Sequence, residues 1–138
     1  MPMTTITIET TVQKDLQTVW DTWNTPEDIM GWMHAQDDWE CTQSVNDLRV
    51  GGELKHRLGA KDKSTEFDLV GTYTEVVPMK HTAFTMADGR KVAVDFEEVS
   101  GGVRVVESFE TEDVNSDEKQ RAGWQAILEN FRKYTEGK

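Results

Sequence analysis

The chain has 138 residues, with 26 Asp and Glu against 15 Lys and Arg and a formal charge of −11. That surplus repels phosphate backbones and anionic lipid, which excludes nucleic acid and membrane surfaces as expected partners, and no apolar run approaches the roughly 20 residues of a membrane span. A lone cysteine, Cys41, excludes an intramolecular disulfide, and the opening stretch MPMTTITIETTV lacks the basic and apolar regions of a signal peptide, so the expectation is one cytoplasmic domain over 1–138.

Thr4 to Thr11 alternates Ile6 and Ile8 with Thr and Glu, the pattern of a half-buried strand. From Lys14 to Asn24, Leu16, Val19, Trp20 and Trp23 recur at helical spacing, and Thr25, Pro26 and Glu27 then start a second short helix through Trp32. The period next becomes two, over 39–46, 51–59, 65–77, 80–87, 90–99 and 102–111, which predicts six more strands. Their joints carry turn chemistry: Gly51-Gly52, a polar tip from Lys61 to Ser64, Pro78, Asp88-Gly89 and Gly101-Gly102. An antiparallel meander follows from such short joints.

Asn115 to Lys138 predicts the one long helix. Asn115 and Ser116 suit the N-cap, Glu118 stands three residues after Asn115 as a capping box requires, and Asp117 and Glu118 complement the dipole. Trp124, Ile127, Leu128, Phe131 and Tyr134 form one apolar stripe. Gly123 within that helix costs about 1 kcal/mol relative to Ala, so its place predicts a close approach by a neighbouring element or a ligand. The order β-α-α-β-β-β-β-β-β-α is an α+β layout of about seven antiparallel strands and a long C-terminal helix.

The Val19-Trp20 pair, Pro26-Glu27 leading to Trp32, the run Asp47 to Gly52, the run Gly71 to Pro78, and Gly123-Trp124 with Leu128 together give the chain a resemblance to a known group. It resembles the family named for activator homologues of the heat-shock protein 90 ATPase, within the START-like, birch-pollen-allergen-like (SRPBCC) superfamily. The resemblance implies a helix-grip fold, in which the antiparallel sheet wraps around the C-terminal helix and encloses a hydrophobic cavity. It also implies a stand-alone domain without the additional domain of the co-chaperones.

Alternation assigns the faces. Leu54, His56 and Leu58 share one face of their strand and Glu53, Lys55 and Arg57 the other, so the first set turns inward and carries His56 with it. By the same rule Phe67, Leu69 and Tyr73 align, then Phe84 with Met86, then Val94 with Phe96. In the last strand Val103, Val105, Glu107 and Phe109 align, which places a carboxylate in an apolar interior; a bulge would instead turn Arg104, Val106 and Ser108 inward. An inward Glu107 would be paired, or have a raised pKa, or meet a ligand. His56 suits either a neutral imidazole bonded inside the sheet or a ligand contact, and a buried Tyr73 needs a partner for its hydroxyl. On the helix side Trp124, Ile127, Leu128 and Phe131 would form the facing wall. Packing of the two short helices against the sheet accounts for Trp20, Trp23 and Trp32, and ligand contact is kept for Trp32, Trp39 and Trp124, whose segments the family fold implies border the cavity.

His34, His56 and His81 lack metal-ligand spacing, and no phosphate loop, dinucleotide fingerprint or nucleophile elbow is present, so no metal or cofactor is expected. The expected function is binding of a small hydrophobic molecule, lipid-like or polycyclic aromatic, in a carrier or sensor role. Two alternatives stay open. One is an acid-base enzyme on a polyketide-like substrate, with Glu107 and His56 as the pair and Tyr73 as donor; the other is a chaperone-partner module, which the family resemblance alone suggests.

Overall fold

A computed structural model of the protein describes residues 4–138. The first three residues of the N-terminal stretch considered above lie outside the described residues.

The elements follow the expected order. They are β1 (Thr5–Val12), α1 (Leu16–Asn24), α2 (Pro26–Trp32), β2 (Trp39–Asn46), β3 (Glu53–Ala60), β4 (Glu66–Val77), β5 (His81–Met86), β6 (Lys91–Val99), β7 (Gly102–Glu110) and α3 (Asp117–Glu136). The strands form one antiparallel sheet in the order β1-β7-β6-β5-β4-β3-β2, curled about α3 in a helix-grip arrangement. Short turns make β2 to β7 a meander, and the two helices after β1 carry the chain to the far edge of the sheet.

Helix starts obey their local chemistry. Pro26 opens α2, where its missing N–H costs nothing, and Glu27 and Asp28 sit in the first turn. In α3 the cap is Ser116, whose Oγ accepts from the Lys119 N–H at 3.1 Å. The expected Asn115/Glu118 capping box does not form. Asn115 lies before the helix, where its N–H and Nδ2 donate to the Glu112 carboxylate at 2.6 and 3.2 Å.

The two short helices close one end of the curl through an aromatic cluster. Trp20 meets Phe96 at 5.2 Å, and Phe131 meets Trp23 at 4.8 Å and Trp32 at 4.9 Å. These edge contacts join α1, α2, α3 and β6 at a single place. Along the β1 edge, the outward carbonyls of Thr7 and Glu9 accept from Arg121 and Gln125, one helical turn apart on α3, at 3.1 and 3.2 Å. Helix side chains thus occupy backbone acceptors that would otherwise invite another strand.

The close approach of a neighbouring element expected at Gly123 is absent among the described residues. A Cβ there would meet nothing within 4 Å, whereas one at Gly31 would stand 2.5 Å from the Tyr134 ring. The tight contact between helices is therefore α2 on α3.

Candidate ligand-binding site

A cavity of about 450 Å³ lies between the inner face of the sheet and the helices. β3 contributes Leu54, His56 and Leu58, β4 contributes Phe67, Leu69 and Tyr73, β5 contributes Thr82, Phe84 and Met86, β7 contributes Glu107, and α3 contributes Gln120, Trp124 and Ile127. Trp23, Ile29, Trp32 and Met33 complete the apolar wall from α1, α2 and the residue that follows.

Strand register fixes the depth of each group. Glu107, Val94 and Thr82 share one row across β7, β6 and β5. The next row holds Phe109, Val92, Phe84 and Tyr73, and the next Met86, Gly71, Leu54 and Asn46. His56 follows, in a row with Leu69 and Ser44. Phe96 and the aromatic cluster lie beyond Glu107, so Glu107 and Thr82 sit at the floor. Half-exposed Phe67, Arg90, Glu112 and Asn115 lie toward the mouth.

Each wall group has a distinct environment. The Tyr73 hydroxyl donates to Asn46 Oδ1 at 2.5 Å, Asn46 Nδ2 donates to the Asn24 carbonyl at 2.8 Å, and burial pushes the Tyr73 hydroxyl up to about 12. His56 Nδ1 and Ser44 Oγ are 2.9 Å apart, and burial pulls the imidazole down to about 4, so it is neutral near pH 7. Glu107 is 8% exposed, lies between Ile8 and Val94 in the ladder, and has no side-chain hydrogen bond among the described residues. Burial alone lifts its carboxyl to about 8. Among the described residues no deeply buried side-chain polar atom lacks a partner, so the Glu107 oxygens face the open space of the cavity.

Several expected wall residues lie elsewhere. Val94, Phe96, Leu128 and Phe131 are within the packed core, Phe96 and Phe131 because the Trp20, Trp23 and Trp32 rings cover them. Trp39 borders a neighbouring groove of about 310 Å³ that shares Met33, Leu58, Phe67 and Ile127 with the cavity. Glu107 and His56 do not form a pair. Their strands are four apart in the sheet order and their ladder rows three apart, and no hydrogen bond among the described residues links them.

Other lining residues went unpredicted. Thr82 stands two residues before Phe84 on the same inward face, so alternation could have found it. Asn46 is the partner that a buried Tyr73 requires. Trp23 carried no signal of its own, since its helical stripe reads equally as core. Among the described residues no three His, Cys, Asp or Glu side chains gather closely enough to hold a metal ion, and no helix is long and apolar enough to cross a membrane.

A curled antiparallel sheet gripping a C-terminal helix over an apolar cavity defines a START-like, helix-grip protein. Residues 15–136 match the family described as Activator of Hsp90 ATPase homolog 1-like protein, and the chain belongs to that family. The solution structure of an AHSA1-like protein from Aeromonas hydrophila is 42% identical, with a TM-score of 0.91 over 97% of this chain and 93% of that one. A protein from Cytophaga hutchinsonii is 41% identical, with a TM-score of 0.83 over 96% and 92%. A Chromobacterium violaceum protein, 20% identical with a TM-score of 0.85 over 96% of each chain, shares the fold. Among curated proteins none matches.

Proposed function

We propose that this protein binds a small, mainly apolar molecule in the cavity, as a carrier or sensor in the cytoplasm. The observation that carries this reading is the cavity itself. Its volume of about 450 Å³ falls within the roughly 300 to 1,000 Å³ of small-molecule sites, and aromatic and aliphatic side chains line it with a few fixed polar groups. Trp32, Leu54, Phe84, Met86, Trp124 and Ile127 would cover the ligand body, while Tyr73 with Asn46, His56 with Ser44, and Glu107 would orient it. The His56 imidazole is bonded to Ser44, and no hydrogen bond among the described residues joins it to Glu107, so binding has more support than acid-base catalysis by that pair. A chaperone-partner role rests on the family description alone.

Tryptophan fluorescence tests the reading, because Trp23, Trp32 and Trp124 line the cavity. Titration with fatty acids, fatty alcohols and amines, flavonoids and sterols should give a saturable change and a thermal shift for at least one class. A flat response to every class would overturn it.

A further inference from the structure

We propose that the cavity floor accepts the ammonium group of an apolar amine, with Glu107 as its counter-ion and Thr82 as a neighbouring hydrogen-bond group. This inference rests on the ligand-binding reading above and names the chemistry of the ligand's deep end.

The polar groups of the wall separate into answered and unanswered ones. His56 is met by Ser44, Tyr73 by Asn46, and Arg90 by Asp88 at 2.8 Å. Both Glu112 oxygens accept from Asn115, and Gln120 bridges the Glu112 and Asn115 carbonyls at 3.0 and 2.8 Å. Glu107 and Thr82, 8% and 2% exposed, have no side-chain partner among the described residues. They share one row with only Val94 between them. A buried carboxyl walled by Ile8, Val94, Val105 and Phe109 calls for a partner, and the open volume beside it is where one fits.

Charge selects among ligand head groups. A carboxylate would set a second acid against Glu107, in a chain of net charge −11 where the one lining cation among the described residues, Arg90, stands toward the mouth on Asp88. An alcohol supplies one donor and no charge. An ammonium supplies three donors and, once Glu107 has given up its proton, the opposite charge, so its bonds to the resulting carboxylate are the stronger ones.

The proton balance is explicit. In the empty cavity the carboxyl is mainly protonated at pH 7. When an alkylammonium arrives, the Glu107 O–H bond breaks, its proton goes to solvent, and the carboxylate remains with the ammonium. If the free amine arrives instead, it takes that proton and reaches the same ion pair. Affinity for the amine should therefore rise with pH until Glu107 is ionised. Of the other titratable groups on the wall, burial places His56 near 4 and Tyr73 near 12, outside the window, while Arg90 and Glu112 are engaged at the mouth.

The experiment compares decylamine, decanol and decanoate, below their micelle concentrations, by tryptophan fluorescence and calorimetry. Decylamine should bind at least about tenfold more tightly than decanol at pH 8. Its affinity should increase by roughly tenfold per pH unit between pH 6 and 8, with nearly one proton released per molecule bound at pH 7. Glu107→Gln should abolish the amine preference and the pH dependence while keeping decanol binding, and Thr82→Val should weaken decylamine by a smaller factor. The wild-type pH series stands by itself should a variant fail to fold. Decanol binding with no amine preference, or amine affinity flat from pH 6 to 8, would overturn this inference and leave the broader reading intact. Binding of none of the three, nor of the wider panel, would overturn both.

Discussion

The Trp124 indole lies flat on the Phe109 ring, with centroids 4.0 Å apart and planes 7° from parallel. This stack ties α3 to β7 two residues beyond Glu107 and supports the floor of the cavity from the helix side. Phe109 is fully buried, whereas Trp124 also faces the cavity. Phe109→Ala should therefore cost about 3 to 5 kcal/mol through lost burial and an unfilled hole, and Trp124→Phe, which keeps a stacked ring, should cost no more than about 1.5 kcal/mol. Urea denaturation midpoints of the two variants at fixed m-value measure the difference.

Two buried groups give stability opposite dependences on pH. The folded-state pKa of Glu107 is raised by burial from 4.5 to about 8, so folding favours its protonated form. Its contribution is complete below 4.5 and is lost as pH rises through 8, a loss on the order of 5 kcal/mol over the full shift. His56 is lowered by burial from 6.5 to about 4, so its stability contribution is present above 6.5 and is lost as pH falls toward 4. The two slopes oppose each other between 4.5 and 6.5. From 6.5 to 8 Glu107 acts without that opposition, and unfolding free energy should decline there in the wild type. In Glu107→Gln that decline should flatten, which equilibrium denaturation at pH 6.5, 7.2 and 8 would read directly.

The hydrogen bond between Tyr73 and Asn46 couples β4 to β2 across β3, and the second Asn46 bond carries it on to the end of α1. Tyr73→Phe leaves the Asn46 oxygen without that donor and should cost about 1 to 3 kcal/mol, while the ring keeps its place against Phe84. A double-mutant cycle with Asn46→Ala should show a coupling energy of at least about 0.5 kcal/mol; additive costs would mean that the bond contributes little.

Period-two and period-3.6 patterns reveal local facts, and they made the elements of this fold legible in sequence. β3, β4 and β7 alternate over enough residues to fix their inward faces, so the placement of Leu54, His56, Tyr73 and Glu107 could be derived from neighbours in the chain. Alternation states which face a residue occupies and nothing about what stands opposite. Phe96 and Glu107 both point inward, yet Phe96 meets Trp20 and Trp23 from α1 while Glu107 meets open space. That difference comes from where α1 and α2 settle on the curl, which depends on contacts distant in sequence. The polar residues toward the mouth, Arg90, Glu112 and Asn115, lie in connections and carry no periodic signal. The family resemblance supplied the helix-grip topology that these local patterns alone left open.

Two helical glycines separate conformational cost from close packing. Gly123 lies within α3, where a Cβ would meet nothing within 4 Å, so Gly123→Ala gains helix propensity with no clash. It should stabilise the fold by about 0.5 to 1 kcal/mol. Gly31 is also helical, but its would-be Cβ stands 2.5 Å from Tyr134 Cε2, and that ring is held by a 2.8 Å hydrogen bond from its hydroxyl to Asp28 Oδ1. Gly31→Ala must shift the ring and weaken that bond, so the same substitution should destabilise, by about 1 to 3 kcal/mol. Removing the tyrosine ring should reverse the sign: in a Tyr134→Ala background Gly31→Ala should become neutral or stabilising. Thermal melts of the four variants measure it, and a Gly31→Ala cost unchanged by loss of the ring would place the strain elsewhere in α2.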